Sequence, residues 1–226
     1  MDILIRAICL LFGYLCGSFQ TAYFYGKSKG IDIREHGSGN AGTTNSLRVL
    51  GKKAGAIVLL GDGLKCALAI LAVKALLPDA YADDKMLYVM YVALGSILGH
   101  NFPFYLKFKG GKGIATTYGF LLGFDIRFFI VAFVIFWVIF LITNYVSLGS
   151  LIIYLCFFIQ LILVGYGYMG GFGKMSSHSL MEIYIIGFIM TVMAFIRHKE
   201  NIGRLVRGEE RKTYLNKKNK LGGENG

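Results

Sequence analysis

Apolar runs of similar length alternate with short polar gaps along most of the 226 residues. Six runs reach or approach the ~20 residues that cross a hydrocarbon core about 30 Å thick. They lie at 3–26, 54–77, 86–106, 127–143, 147–167 and 179–197. A seventh run, 114–124, is apolar but short. The first run does not read as a cleavable leader. Asp2 precedes Arg6, the apolar stretch outruns a signal h-region, and no small-residue cleavage site stands near 26. The pattern predicts an all-α integral membrane protein, with no repeat or inverted repeat of hydropathy to suggest a secondary transporter.

The gaps carry unequal charge. Residues 27–53 hold Lys27, Lys29, Arg34, Arg48, Lys52 and Lys53, residues 107–113 hold Lys107, Lys109 and Lys112, and the stretch from 197 holds nine more basic residues. Those three regions carry 18 of the 24 Lys and Arg, so the positive-inside rule assigns them to the cytoplasm. Two spans separate the first region from the second, as required. Only three long spans separate 113 from the C-terminal stretch, an odd number. Residues 114–124 must therefore cross as well, giving about seven transmembrane helices with the N-terminus outside and the C-terminus cytoplasmic. That helix is only ~16 Å long at 1.5 Å per residue. One of its ends must be shielded from lipid by protein, as a pocket open at 107–113 would do. A single kinked span over 114–143 is the alternative; it gives six helices and the opposite parity. Residues 1–206 read as one transmembrane domain, and the polar stretch 207–226 reads as a disordered cytoplasmic tail.

Composition agrees with this reading. Charged residues make up 16% of the chain, against about 25% in soluble domains, and mean hydropathy is +0.58. A net charge of +11 would suggest a nucleic-acid partner in a soluble protein. Here the charge is sorted by side, so it reports orientation and no nucleic-acid partner is expected. Cys9, Cys16, Cys66 and Cys156 all lie in apolar runs without a C-x-x-C pair, so neither disulfides nor a zinc site is expected.

Three polar stretches on the assigned cytoplasmic side carry candidate chemistry. The first is Gly37-Ser38-Gly39-Asn40-Ala41-Gly42-Thr43-Thr44-Asn45, followed by Arg48. Small residues allow a tight turn with amides aimed at an anion, hydroxyls and amides add neutral donors, and Arg48 adds a forked cation. An ordinary interhelical turn is the plain alternative. The second is Lys107-Phe108-Lys109-Gly110-Gly111-Lys112-Gly113, which opens into an apolar helix. It is not a P-loop, because Leu106 and Gly113 stand where Gly and Ser or Thr belong. Its plain alternative is a basic loop holding lipid headgroups. The third is Arg197-His198-Lys199-Glu200-Asn201, with Arg204 beyond. His198 and Asn201 share a helix face, unless this is only a solvated helix end. Asp62 and Lys65 form an intramembrane i,i+3 pair, and His100-Asn101 closes the third span.

Some motifs are missing. Five residues after each histidine stand Ala41, Tyr105, Ile183 and Gly203, so no H-x4-D acyltransferase signature exists. No G-x-S-x-G elbow, H-E-x-x-H or Asp-rich diphosphate motif occurs, and neither a metal, a cofactor nor a serine acyl-enzyme is expected. The residues alone leave open a carrier for a phosphorylated anion and a lipid-headgroup scaffold.

With these motifs in this order, the chain resembles the PlsY family of bacterial acyl-phosphate:glycerol-3-phosphate acyltransferases. The resemblance rests on Gly37-Ser38-Gly39-Asn40 through Arg48, on Gly99-His100-Asn101-Phe102-Pro103 through Lys109–Gly113, and on Arg197-His198-Lys199-Glu200-Asn201-Ile202 with Arg204, Gly208 and Glu209. Asp62-x-x-Lys65 also matches. Ala41, Cys66 and Asn144 depart from the usual proline, glycine and basic residue.

The resemblance implies transfer of a fatty acyl group from acyl phosphate to the sn-1 hydroxyl of glycerol 3-phosphate, yielding lysophosphatidic acid and phosphate. It further implies a cell-membrane location, a cytoplasmic site and a functional link to PlsX, the enzyme that makes acyl phosphate. The expected roles follow from it. Ser38, Asn40, Thr44 and the amides of Gly110 and Gly111 hold acyl phosphate, and Asn45 adds a phosphate contact. Lys112 bridges the two phosphates and offsets transition-state charge. Arg48, His198 and Asn201 hold glycerol 3-phosphate, Ser147 adds a polar contact, and Arg197 serves the anionic substrates. His198 as general base is the alternative to proton transfer onto the leaving phosphate.

Overall fold

The computed structural model describes residues 2–214; the remainder of the proposed tail, 215–226, lies outside the described residues. Those described residues are helical, with no strand among them. The helices are α1 (Asp2–Ser18), α2 (Thr21–Ser28), α3 (Thr43–Leu50), α4 (Lys52–Leu76), α5 (Lys85–Asn101), α6 (Ile114–Phe124), α7 (Ile126–Thr143), α8 (Val146–Gly165), α9 (Ser177–Arg197) and α10 (Lys199–Val206). By length and apolarity, five segments are long enough to span a membrane alone: Ile3–Ser28, Lys52–Leu76, Ile126–Thr143, Val146–Gly165 and Ser177–Arg197.

Two of the expected spans are altered for identifiable reasons. The first breaks at Phe19-Gln20 because its carbonyls are diverted from the helix ladder. Ser18 O accepts from Tyr105 Oη at 2.9 Å, and Phe19 O accepts from Lys65 Nζ at 2.5 Å. The third ends at Asn101 rather than 106, since Pro103 disfavours helical backbone at Phe102 and brings no N–H of its own.

The centre of the bundle is α5, buried almost all round. It packs on α1 through two G-x-x-x-G pairs, Gly13/Gly17 and Gly95/Gly99. A Cβ at Gly95 would fall 2.1 Å from Leu10 O, and one at Gly17 would fall 2.0 Å from Ser96 O. Backbone therefore lies against backbone, the packing that small residues permit where lipid gives no hydrophobic drive.

α6 runs beside the second half of α4 and in the same direction. A Cβ at Gly119 would fall 1.9 Å from Gly63 O, and at the far end Lys74 Nζ caps Phe124 O at 2.8 Å. Gly63 lies 11 residues past the start of α4, about 16 Å along its axis. The short helix thus begins part-way down the bundle, with a cavity over its first residues. The helices α1, α4, α5, α6, α7, α8 and α9 run alternately toward and away from that cavity. The start of α1, near Glu182, lies at the opposite end.

Candidate active site

The three polar stretches surround one cavity of about 1000 Å³. Ser38, Asn40, Thr44, Asn45, Arg48, Gly110, Lys112, Ser147, His198 and Asn201 all line it. One end is polar and basic. The other end runs between α4, α6 and α7, along Leu60, Leu64, Tyr118, Leu122, Phe133 and Trp137.

The 37–42 turn leads into α3. Asn45 clamps it: Oδ1 accepts from Ser38 N at 2.8 Å, while Nδ2 donates to Ile33 O at 3.1 Å and His36 O at 2.9 Å. Asn45 is buried and spent on the loop, so its expected contact with phosphate gives way to a supporting role. The clamp leaves the N-terminus of α3 facing the cavity at Thr43 and Thr44, with Arg48 one turn along. Free first-turn amides beside a guanidinium suit a phosphate. Burial, together with Arg211 and Arg204 nearby, pushes the Arg48 pKa down.

The 110–113 turn works differently. Its first two amides are not free, because Gly110 N donates to Asn101 O at 3.2 Å and Gly111 N to His100 O at 3.1 Å. Its carbonyls are taken too: Arg197 Nη2 reaches Gly110 O at 3.2 Å and Gly111 O at 2.8 Å. Two sequence expectations change as a result. The Gly110 and Gly111 amides already have backbone partners and Gly111 is buried behind the cavity wall, while Arg197 lines the cavity and also braces the turn. The glycines are needed for close approach, since a Cβ at Gly111 would fall 2.1 Å from His100 Nε2 and 2.7 Å from Ala41 O. What the turn presents to the cavity is Lys112 and the N-terminus of α6.

Lys112 bonds to Asn201 Oδ1. Burial first, then Arg204, lowers its pKa to about 8, with Glu210 and Glu200 opposing the shift and Arg197 adding to it. His198 is buried, and its Nδ1 lies 2.8 Å from Ala194 O. A carbonyl only accepts, so Nδ1 carries the proton and Nε2 the lone pair. Burial drives the His198 pKa down to about 4; the Ala194 contact opposes this, while Lys112 and Arg197 reinforce it.

Glu210 was missed in the sequence, one residue past the last motif position. It belongs to the stretch read as a disordered tail, yet residues 207–214 are described and return to the site, where Thr213 N donates to Asn144 O at 2.9 Å. The Glu210 carboxylate accepts from Ser147 Oγ at 2.8 Å, Asn201 Nδ2 at 2.6 Å and Arg204 Nε at 2.8 Å. Burial acts to raise its pKa, but these donors outweigh it and hold the carboxyl below its usual range. Asn144, with φ 60°, caps α7 in the left-handed region that asparagine tolerates.

A family model described as glycerol-3-phosphate acyltransferase matches residues 7–208. The chain belongs to the glycerol-3-phosphate acyltransferase family. A family member from Alkaliphilus metalliredigens is 38% identical over 92% of this chain and 96% of its own. Another, from Lactobacillus johnsonii, is 39% identical over 93% of this chain and 88% of its own. Two crystal structures of PlsY (YgiH), an integral membrane glycerol 3-phosphate acyltransferase, share the fold. The glycerol 3-phosphate form matches with TM-score 0.78 and 32% identity over 92% of this chain and 96% of that one. The lysophosphatidic acid form matches with TM-score 0.76 and 31% identity over 93% and 96%. The chain is accordingly a multi-pass membrane acyltransferase of lipid biosynthesis, and its cavity sits where all three sequence motifs of the family resemblance converge.

Proposed function

We propose that this acyltransferase moves a fatty acyl group from acyl phosphate to the sn-1 hydroxyl of glycerol 3-phosphate, releasing lysophosphatidic acid and phosphate at the start of phospholipid synthesis. The observation that carries the reading is the joined cavity. A basic end built from Arg48, Lys112 and Arg204 opens into an apolar channel along Leu64, Tyr118, Leu122 and Phe133. A phosphate head and a hydrocarbon tail fit one such chamber, with the reacting carbonyl at the junction.

The glycerol hydroxyl oxygen attacks the acyl carbon, the bond from that carbon to the phosphate oxygen breaks, and the hydroxyl proton passes to the departing phosphate. A mixed anhydride has a good leaving group, so positioning and charge stabilisation can supply most of the rate enhancement. Lys112 meets both phosphates and offsets charge as it builds. The α3 N-terminus, with Ser38, Asn40, Thr44 and Arg48, and the α6 N-terminus receive the phosphate groups. His198 Nε2, a lone-pair acceptor on the cavity wall, helps hold glycerol 3-phosphate. With a pKa near 4 it is too weak a base to take the proton at neutral pH, which favours transfer to phosphate. Asn201 and Ser147 complete the polar wall.

The alternating helix directions fit seven membrane crossings with the cavity on the cytoplasmic side of the cell membrane, where a soluble enzyme such as PlsX would deliver acyl phosphate. The test uses the chain purified in detergent with palmitoyl phosphate and glycerol 3-phosphate. Phosphate and lysophosphatidic acid are expected in equal amounts. No product from acyl phosphate, or equal turnover with acyl-CoA, would overturn the reading.

A further inference from the structure

Lys65 lies inside α4, where a charge must be matched by protein. Its ammonium has three protons and three partners: Phe19 O at 2.5 Å, Asp62 Oδ1 at 3.0 Å and His100 Nδ1 at 3.0 Å. Because an ammonium only donates, His100 Nδ1 must accept, and the ring proton is left on Nε2. Asp62 Oδ1 also accepts from Thr21 Oγ1 at 2.9 Å. One buried knot therefore ties the break after α1, the start of α2, the middle of α4 and the end of α5.

The knot leads to the active site through His100. Its carbonyl accepts from Gln20 Nε2 at 2.8 Å and from Gly111 N at 3.1 Å. Its ring reaches the same glycine from the other side, where Nε2 fills the space a Gly111 Cβ would need. Gly111 is the residue before Lys112. We propose that Lys65 is a positioning residue for Lys112, acting through the tautomer and placement of His100 on the 110–113 turn. The inference deepens the proposed function, on which it rests for the role of Lys112 in turnover.

A knot that only stabilises the bundle would, when lost, reduce the amount of folded enzyme and leave the properties of Lys112 unchanged. A knot that positions would let the turn shift, admit water to the Lys112 ammonium and loosen its hold on phosphate. The charged groups around Lys112 are Arg197, which is bonded to the same turn, and Arg204, Glu200 and Glu210, with His198 beside them.

The test is the Asp62→Asn/Lys65→Met double variant, which removes both charges and leaves no unpaired carboxylate in the bundle. Trace acylation with acetic anhydride across pH 6–11, read at Lys112 by mass spectrometry, reports its titration without needing turnover. The wild-type ammonium is expected to titrate near pH 8. In the double variant the midpoint should rise by about one unit or more toward that of an ordinary lysine, and KM for glycerol 3-phosphate should rise about tenfold. Should that variant fail to fold, Gln20→Leu removes one bond to the His100 carbonyl without disturbing a charge, and should shift the midpoint in the same direction by less. An unmoved midpoint in the folded variants overturns the inference. An inactive wild type whose Lys112 midpoint still moves with Lys65 supports the positioning role while removing the proposed reaction.

Discussion

The two glycine-rich turns look alike in sequence and do opposite things. In 37–42 a side chain, Asn45, holds the backbone and leaves a helix N-terminus open to the cavity. In 110–113 the backbone itself is held, its amides by the end of α5 and its carbonyls by Arg197, so only Lys112 and the start of α6 face inward. Glycine supplies the turn in the first case and close approach in the second. A glycine-rich loop beside a phosphate site is thus not by itself an amide cradle; the partners already on its amides decide that.

The contrast is broken most directly at Lys112, the group for which the second turn is rigid. Lys112→Ala should lower kcat by at least 100-fold, about the 2.7–4 kcal/mol lost with one preorganised charge-stabilising donor. Steady-state kinetics in detergent check this, and near-normal turnover would remove Lys112 from the chemistry.

Gly111→Ala comes next. The added methyl meets the His100 ring and the Ala41 carbonyl, and the carbonyl belongs to the other loop. The turn must shift, and kcat/KM should fall by about 30-fold or more, in line with the 1–3 kcal/mol of overpacking. Gly42→Ala is its control. There φ is −158°, and the new methyl meets only the movable end of the Asn40 side chain at 2.9 Å, so the loss should be smaller, about several-fold. Equal losses at both sites would erase the distinction between the loops.

This difference also marks what could be read from the chain alone. The apolar helices and the polar stretches between them follow from hydropathy period and charge placement, which are local properties. The roles of Gly110, Gly111, Asn45 and Arg197 are not local. They depend on α5 ending at Asn101, beside the turn, and on Asn45 being within reach of three backbone groups. Glu210 escaped notice because its polar surroundings suggest a solvated tail, and only folding back onto Ser147, Asn201 and Arg204 gives it partners. The Gly13/Gly17 and Gly95/Gly99 pairs were visible as spacing, but their meaning required knowing which helices meet.

Lys112 also gives the comparison a pH axis. Its ammonium form is the one that attracts phosphate, and burial lowers its pKa to about 8. Above that value the free enzyme loses the charge, so kcat/KM should fall by about tenfold per pH unit on the alkaline side. His198, at about 4, is neutral throughout the range 5–8 and contributes no limb there. A limb at pH 6–7 in kcat that vanishes in His198→Asn would instead make His198 the general base.

The smallest effect belongs to Asn45, which never meets substrate if the first turn is as described. Asn45→Ala releases Ser38 N and His36 O, which lie on the exposed loop where water can take them over, while the buried Ile33 O keeps its bond from His36 N at 3.4 Å. Each bond then costs only its net value, about 1 kcal/mol, and part of that falls on loop order rather than on affinity. KM for the phosphate substrates should rise several-fold while kcat changes less. The distinguishing measurement needs no substrate: amide exchange at Ser38 should quicken in the unliganded variant, because its acceptor is gone. An unchanged exchange rate at Ser38, together with a large rise in KM, would return Asn45 to direct contact with phosphate and make the two turns more alike than their hydrogen bonds imply.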